Sequence, residues 1–159
     1  MTKIILGIDP GIADTGYGVI QVQNDNRLLC LDYGSIKTKA NEPLPERLEK
    51  MAGELEKIIK KYKPELVSVE QLFFYNNAKT AFMVGQARGV VLLISRQHKI
   101  PIVEFTPLQI KQAVSTYGQA SKLQVQRMVK MILNLKELPK PDDAADGLAA
   151  AICAANRKF

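Results

Sequence analysis

Tryptophan is absent from this 159-residue chain, there is one histidine, and there are two cysteines, Cys30 and Cys153. The lone His98 stands beside Lys99 near the end of a helical pattern and reads as a surface residue. It leaves Ser-His-Asp and Cys-His nucleophile arrangements without support. The cysteines show no metal-ligand spacing; each sits in an apolar stretch and reads as a small buried hydrophobe in a reducing compartment. No run approaches the roughly 18 apolar residues of a membrane span. The N-terminus leads straight into a strand pattern with no room for a signal peptide, so a cytoplasmic protein is expected. Acids are scarce in the middle of the chain. Between Gln71 and Lys136 only Glu104 is acidic, against nine bases, a net +8 that leaves the remainder at −2 of the total +6.

The acids that remain are oddly placed. Asp9 ends the apolar run Lys3-Ile4-Ile5-Leu6-Gly7-Ile8, just before Pro10-Gly11. Glu70 ends a second apolar run, Leu66-Val67-Ser68-Val69. Asp142, Asp143 and Asp146 open an Ala-rich helical stretch near the C-terminus. A carboxylate at the end of a buried strand is costly unless it is needed there. Each acid alone has a bland explanation: Asp9 as a turn carboxylate, Glu70 as a partner of Arg88, Asp142 and Asp143 as complements to a helix dipole. Together they suggest one cluster for hard divalent cations. Two Mg²⁺ about 4 Å apart can activate a water and stabilise the leaving oxygen in a phosphoryl displacement. Asp143 and Asp146 share a helix face, and so do Asp142 and Asp146; spacing does not choose between them.

Strands are expected at residues 3–9, 15–23 and 27–38, an antiparallel meander, then at 65–70 and 101–104. Helices are expected at 45–62 and 77–98, from Thr106-Pro107 to near Gly118, after the cap Ser121, and after the rigid linker Leu138-Pro139-Lys140-Pro141. This is one domain, 1–159: an α/β fold with a five-stranded mixed sheet (three antiparallel then parallel strands) flanked by helices. If strands one and four are adjacent and parallel, Asp9 and Glu70 emerge at the same carboxyl end. The glycines of Gly7-Ile8-Asp9-Pro10-Gly11 and Gly16-Tyr17-Gly18 lie in a hairpin, which rejects a dinucleotide fingerprint. Gly85 and Gly89 require another backbone close to their helix face.

The basic middle suits a polyanion held near the acids. Lys122, Gln126 and Lys130 fall on one helix face as a phosphate-tracking ridge would. Phe73-Phe74-Tyr75 follows Glu70 directly; three consecutive aromatics cannot all face one core, and exposed ones stack on bases for about 1–3 kcal/mol each.

Several of these segments resemble RuvC-type Holliday junction resolvases. They are Gly7-Ile8-Asp9-Pro10-Gly11 with Thr15-Gly16-Tyr17-Gly18-Val19-Ile20, then Val69-Glu70-Gln71-Leu72-Phe73, Gly85-Gln86-Ala87-Arg88-Gly89-Val90, and Asp143-Ala144-Ala145-Asp146, in order over nearly the whole chain. The resemblance implies a ribonuclease H-like fold and a Mg²⁺-dependent homodimer that cuts four-way DNA junctions, with two ions per site and Mn²⁺ as a substitute. It implies Asp9, Glu70, Asp143 and Asp146 as catalytic metal ligands, which favours Asp143 over Asp142. It implies Phe73, Lys111 and Lys122 as DNA contacts, to which Phe74, Tyr75, Arg88 and Lys130 are added as candidates. A branch-migration motor complex of the RuvA–RuvB type is the implied partner. Two rival readings are less well supported: a junction-binding protein without catalysis, which an intact four-acid set argues against, and a phosphotransferase of the actin and sugar-kinase type, which needs two lobes.

Overall fold

The computed structural model describes residues 2–71, 77–115 and 118–157. β1 (Lys3–Asp9), β2 (Asp14–Val22) and β3 (Leu28–Lys37) form the expected antiparallel meander. Helix α1 (Leu44–Tyr62) buries Arg47, Met51, Leu55 and Ile59, one residue every fourth position, on a single face. It ends at Lys63, whose φ of 50° gives the left-handed cap usually left to glycine, and Pro64 blocks continuation.

The chain then alternates β4 (Leu66–Glu70), α2 (Ala78–Gln97), β5 (Ile102–Phe105), α3 (Pro107–Ser115), α4 (Lys122–Ile132) and α5 (Asp142–Ala155). Ser121 caps α4 with a reciprocal Ser121–Gln124 capping box, and Thr106 and Gln109 exchange the same pair of bonds at the start of α3. The sheet order is β3-β2-β1-β4-β5, with β4 parallel to both β1 and β5. Expected boundaries agree within a residue or two, as helix and strand ends normally do, except that α3 ends at Ser115 rather than near Gly118. Among the described residues no helix is long and apolar enough to cross a membrane.

Helices cover both faces of the sheet. Leu6, Ile8, Val19, Val67 and Val69 pack on the α1–α2 side. Ile5, Ile20, Leu66 and Phe105 pack on the other side with α3, α4 and α5. Because side chains alternate along a strand, Asp9 and Glu70 share the α5 face with Ile5 and Leu66.

Helix α5 lies almost directly on the backbones of β1 and β2. A Cβ added at Gly7 would meet the Gly147 carbonyl oxygen at 2.0 Å, and one at Gly16 would meet the Asp143 carbonyl oxygen at 1.8 Å. On the helix itself, a Cβ at Gly147 would meet the Tyr17 backbone at 2.7 Å. The hydroxyl of buried Ser68 donates to the Ala150 carbonyl oxygen at 2.7 Å, tying β4 to the same helix. Alanine is favoured over glycine within helices by about 1 kcal/mol, so propensity alone would make Gly147→Ala stabilising. The clash reverses the sign: Gly147→Ala is expected to cost about 1–3 kcal/mol in urea unfolding. A neutral or stabilised variant would show that α5 is not pressed against β2.

Candidate active site

Three elements bring the acids together. β1 and β4 run parallel in the register Ile8↔Val69, which places Asp9 beside Glu70 at their carboxyl ends. The first turns of α5 add Asp143 and Asp146 from above. Carboxylate oxygens of Asp9, Asp143 and Asp146 all lie within 4.8 Å of one another. The Asp9 carboxyl lies close enough to Glu70 and Asp146 for each to act on it.

The choice between Asp142 and Asp143, open on spacing, is decided by packing. Asp143 joins the cluster, whereas Asp142 Oδ1 accepts from Gln126 Nε2 at 2.8 Å. That same amide nitrogen lies 3.4 Å from the Pro139 carbonyl oxygen. Gln126 is buried, which corrects its placement on a solvent-facing ridge with Lys122 and Lys130. It clamps the start of α5 from α4. Helical spacing missed this because Gln126 stands next to the apolar position Val125 and shares a stripe with two lysines.

The electrostatics follow from crowding and burial. Desolvation, then the charges of Glu70, Asp146 and Asp143, hold the Asp9 carboxyl well above the ordinary carboxylate range. Desolvation and Glu70 push Asp146 up to about 6, with Lys122 opposing. Asp143 is also raised, first by burial and then by Asp14, again with Lys122 and Lys37 opposing. Asp14 and Lys37 face each other across β2 and β3, and Asp14 Oδ1 accepts from Ser35 Oγ at 2.8 Å. Neither was singled out from sequence, since an acid and a base at opposite strand ends carry no local signature.

The other candidates are dispersed. Lys122, exposed just past the α4 cap, is the base that acts on both helix aspartates. Lys111 is half-buried on α3, and Lys130 lies two turns along α4 from Lys122, about 12 Å away. Arg88 ion-pairs with Glu104, so the pairing of Arg88 with Glu70 does not form. Phe73, Phe74 and Tyr75 lie outside the described residues. His98 sits against Glu56 at 3.3 Å, far along the chain from the acids. Cys30 is half-buried and Cys153 buried; burial pushes both thiols up to about 11.

An all-oxygen donor set on three elements suits hard cations such as Mg²⁺ or Mn²⁺. A bound cation would also remove the repulsion that raises Asp9 and Asp146.

The sheet order and the acids at the ends of β1, β4 and the start of α5 define a ribonuclease H-like nuclease. The model of the family described as crossover junction endodeoxyribonuclease RuvC matches residues 5–154, and the chain belongs to that family. A crossover junction endodeoxyribonuclease RuvC from Alkaliphilus oremlandii is 54% identical over 153 residues, covering 96% of this chain and 93% of its own. A Thermus thermophilus RuvC structure in complex with Holliday junction substrate superposes with a TM-score of 0.87 at 36% identity, covering 96% of this chain and 92% of that one. The yeast mitochondrial Holliday junction resolvase Ydc2, at 16% identity and a TM-score of 0.66, shares the fold.

Linkage fixes how these acids affect stability. A carboxyl raised in the folded state binds its proton more tightly there than in the unfolded chain, so its favourable contribution is complete below pH about 4 and is lost as pH rises through about 6. In the metal-free protein, Asp146→Asn should therefore be more stable than the parent at pH 8 by about 1–3 kcal/mol, with the difference shrinking toward pH 4. Urea unfolding at both pH values measures this. A variant less stable at pH 8 would mean that the Asp146 carboxylate is satisfied by the protein alone.

Proposed function

We propose that this protein resolves four-way DNA junctions by paired, metal-dependent phosphodiester hydrolysis, its whole length acting as one nuclease domain in the cytoplasm. The observation that carries the reading is the convergence of Asp9, Asp143 and Asp146, with Glu70 beside Asp9, at one end of the sheet. Asp9, Glu70, Asp143 and Asp146 would hold two divalent cations, Mg²⁺ or Mn²⁺. When bound, such ions lower the pKa of water and offset charge on the leaving oxygen.

The chain's own residues do the rest. Asp9, on which the charges of Glu70, Asp143 and Asp146 all act, is the acid that would serve both cations. Lys122, whose charge acts on both Asp143 and Asp146, would favour an incoming phosphodiester beside them. Lys111 and Lys130 extend that positive surface over α3 and α4, with Arg88 as a further phosphate contact. Phe73, Phe74 and Tyr75, following Glu70 in sequence, would stack on bases at the junction centre.

A homodimer matches the two symmetry-related phosphates of a junction. Support comes from α2, whose outer stripe leaves Phe82 72% and Leu93 57% exposed. Gly89 shares that stripe, with nothing within 4 Å of where its Cβ would be. A helix apolar on both faces, with a small residue at its exposed centre, fits a second copy of itself. In cells the protein would work with a branch-migration motor complex of the RuvA–RuvB type.

Labelled four-way and linear duplex DNA, incubated with and without Mg²⁺, tests the reading. The junction should be cut symmetrically only with Mg²⁺, and Asp9→Asn should cut it about 100-fold more slowly or worse while still binding it. Cleavage by Asp9→Asn at the parent rate would refute the assignment. Separately, Leu93→Glu should run as a monomer in analytical ultracentrifugation and lose coordinated incision; an unchanged dimer would place the interface elsewhere.

A further inference from the structure

Arg47 is 5% exposed, the most deeply buried charged side chain among the described residues. Among the described residues no carboxylate pairs with it. A buried cation without a counter-ion is costly, so its hydrogen bond indicates what it is for. Arg47 Nε donates to Thr38 Oγ1 at 2.9 Å, and Thr38 Oγ1 donates to the Ile12 carbonyl oxygen. A hydroxyl has a single proton. With the guanidinium N–H on its lone pair, the Thr38 hydroxyl is turned to give that proton to Ile12, and a charged donor strengthens the bond it passes on.

Thr38 holds the same segment a second time, its backbone N–H donating to the Ala13 carbonyl oxygen at 3.0 Å. Thr15 Oγ1, almost wholly buried, donates to the Gly11 carbonyl oxygen at 2.6 Å. Three successive carbonyls of the β1–β2 turn are therefore pinned, two of them through Thr38. This turn begins one residue after Asp9, and it leads into Asp14, whose charge acts on Asp143. Without the Thr38 hydroxyl, the turn containing Pro10 and Gly11 would keep the Thr15–Gly11 bond and the Asp9↔Gly16 strand pairing but lose its side-chain hold on Ile12, three residues after Asp9.

We propose that Arg47 and Thr38 form a buried brace that sets the Asp9 turn, making them positioning residues for junction cleavage. The inference rests on the nuclease reading above. Ligand-orienting partners of this kind change metal affinity or activity by about 10- to 100-fold when removed.

The test compares parent, Thr38→Val and Thr38→Ser across a Mg²⁺ titration of junction cleavage, with junction affinity measured without divalent cation and urea unfolding to establish the folded fraction. Thr38→Val should cut about 10- to 100-fold more slowly, or need correspondingly more Mg²⁺, at unchanged cation-free junction affinity. Thr38→Ser, which keeps the hydroxyl, should match the parent. Thr38→Val with the parent's rate and Mg²⁺ dependence would overturn the proposal, as would a loss of rate matched by an equal loss of junction affinity. If Thr38→Val does not fold, Arg47→Lys takes its place: it keeps the cation but loses the planar Nε donor. It should show the same Mg²⁺ shift, and parent behaviour would overturn the brace. A parent protein that leaves the junction uncut would instead refute the nuclease reading, whatever the variants do.

Discussion

Backbone-to-backbone contact between α5 and the first two strands sets the geometry on which everything else depends. Gly7 and Gly16 have no Cβ because the Gly147 and Asp143 carbonyl oxygens occupy that space. A helix held at ordinary side-chain distance, about 10 Å from the sheet, would leave Asp143 and Asp146 too far from Asp9 to share a cation. Their carboxylates belong to one cluster because the helix has been let down onto the strands. Gln126 then fixes its start, and Ser68 its middle.

That closeness has an electrostatic consequence. Asp9, Asp143 and Asp146 are packed where burial and the charge of neighbouring carboxylates favour protons over charge. Folding tolerates the arrangement because the surroundings are strongly satisfied: apolar cores on both sheet faces, a capped α4 delivering Lys122, and a pinned turn behind Asp9. The site is thus a local instability supported by its frame, as is common where charge must be gathered for catalysis. A cation entering it relieves strain that the protein cannot relieve alone.

Local rules made much of this readable from sequence. Alternating apolar runs marked the strands, Ser121 and Thr106 marked helix starts, and strand-end acids stood out as misplaced charges. The parallel pairing of β1 with β4 was conditional, since pairing is non-local, and the register Ile8↔Val69 meets the condition. What escaped notice was tertiary. Gly16 and Gly18 read as hairpin glycines because only the position of α5 reveals the close approach. Gln126 and Arg47 look like solvated polar residues on amphipathic helices, and nothing in the spacing says that one clamps Asp142 while the other backs Thr38. Asp142 and Asp143 could not be separated by periodicity, since each shares a face with Asp146; the Gln126 amide separates them.

The most direct measurement is anomalous diffraction from crystals soaked in Mn²⁺. Two peaks should lie within about 2.0–2.3 Å of carboxylate oxygens, with Asp9 contributing to both and Glu70, Asp143 and Asp146 divided between them. Mn²⁺ bound away from Asp9, or soaked crystals with no peak among the four acids, would contradict a metal-dependent site at the end of this sheet.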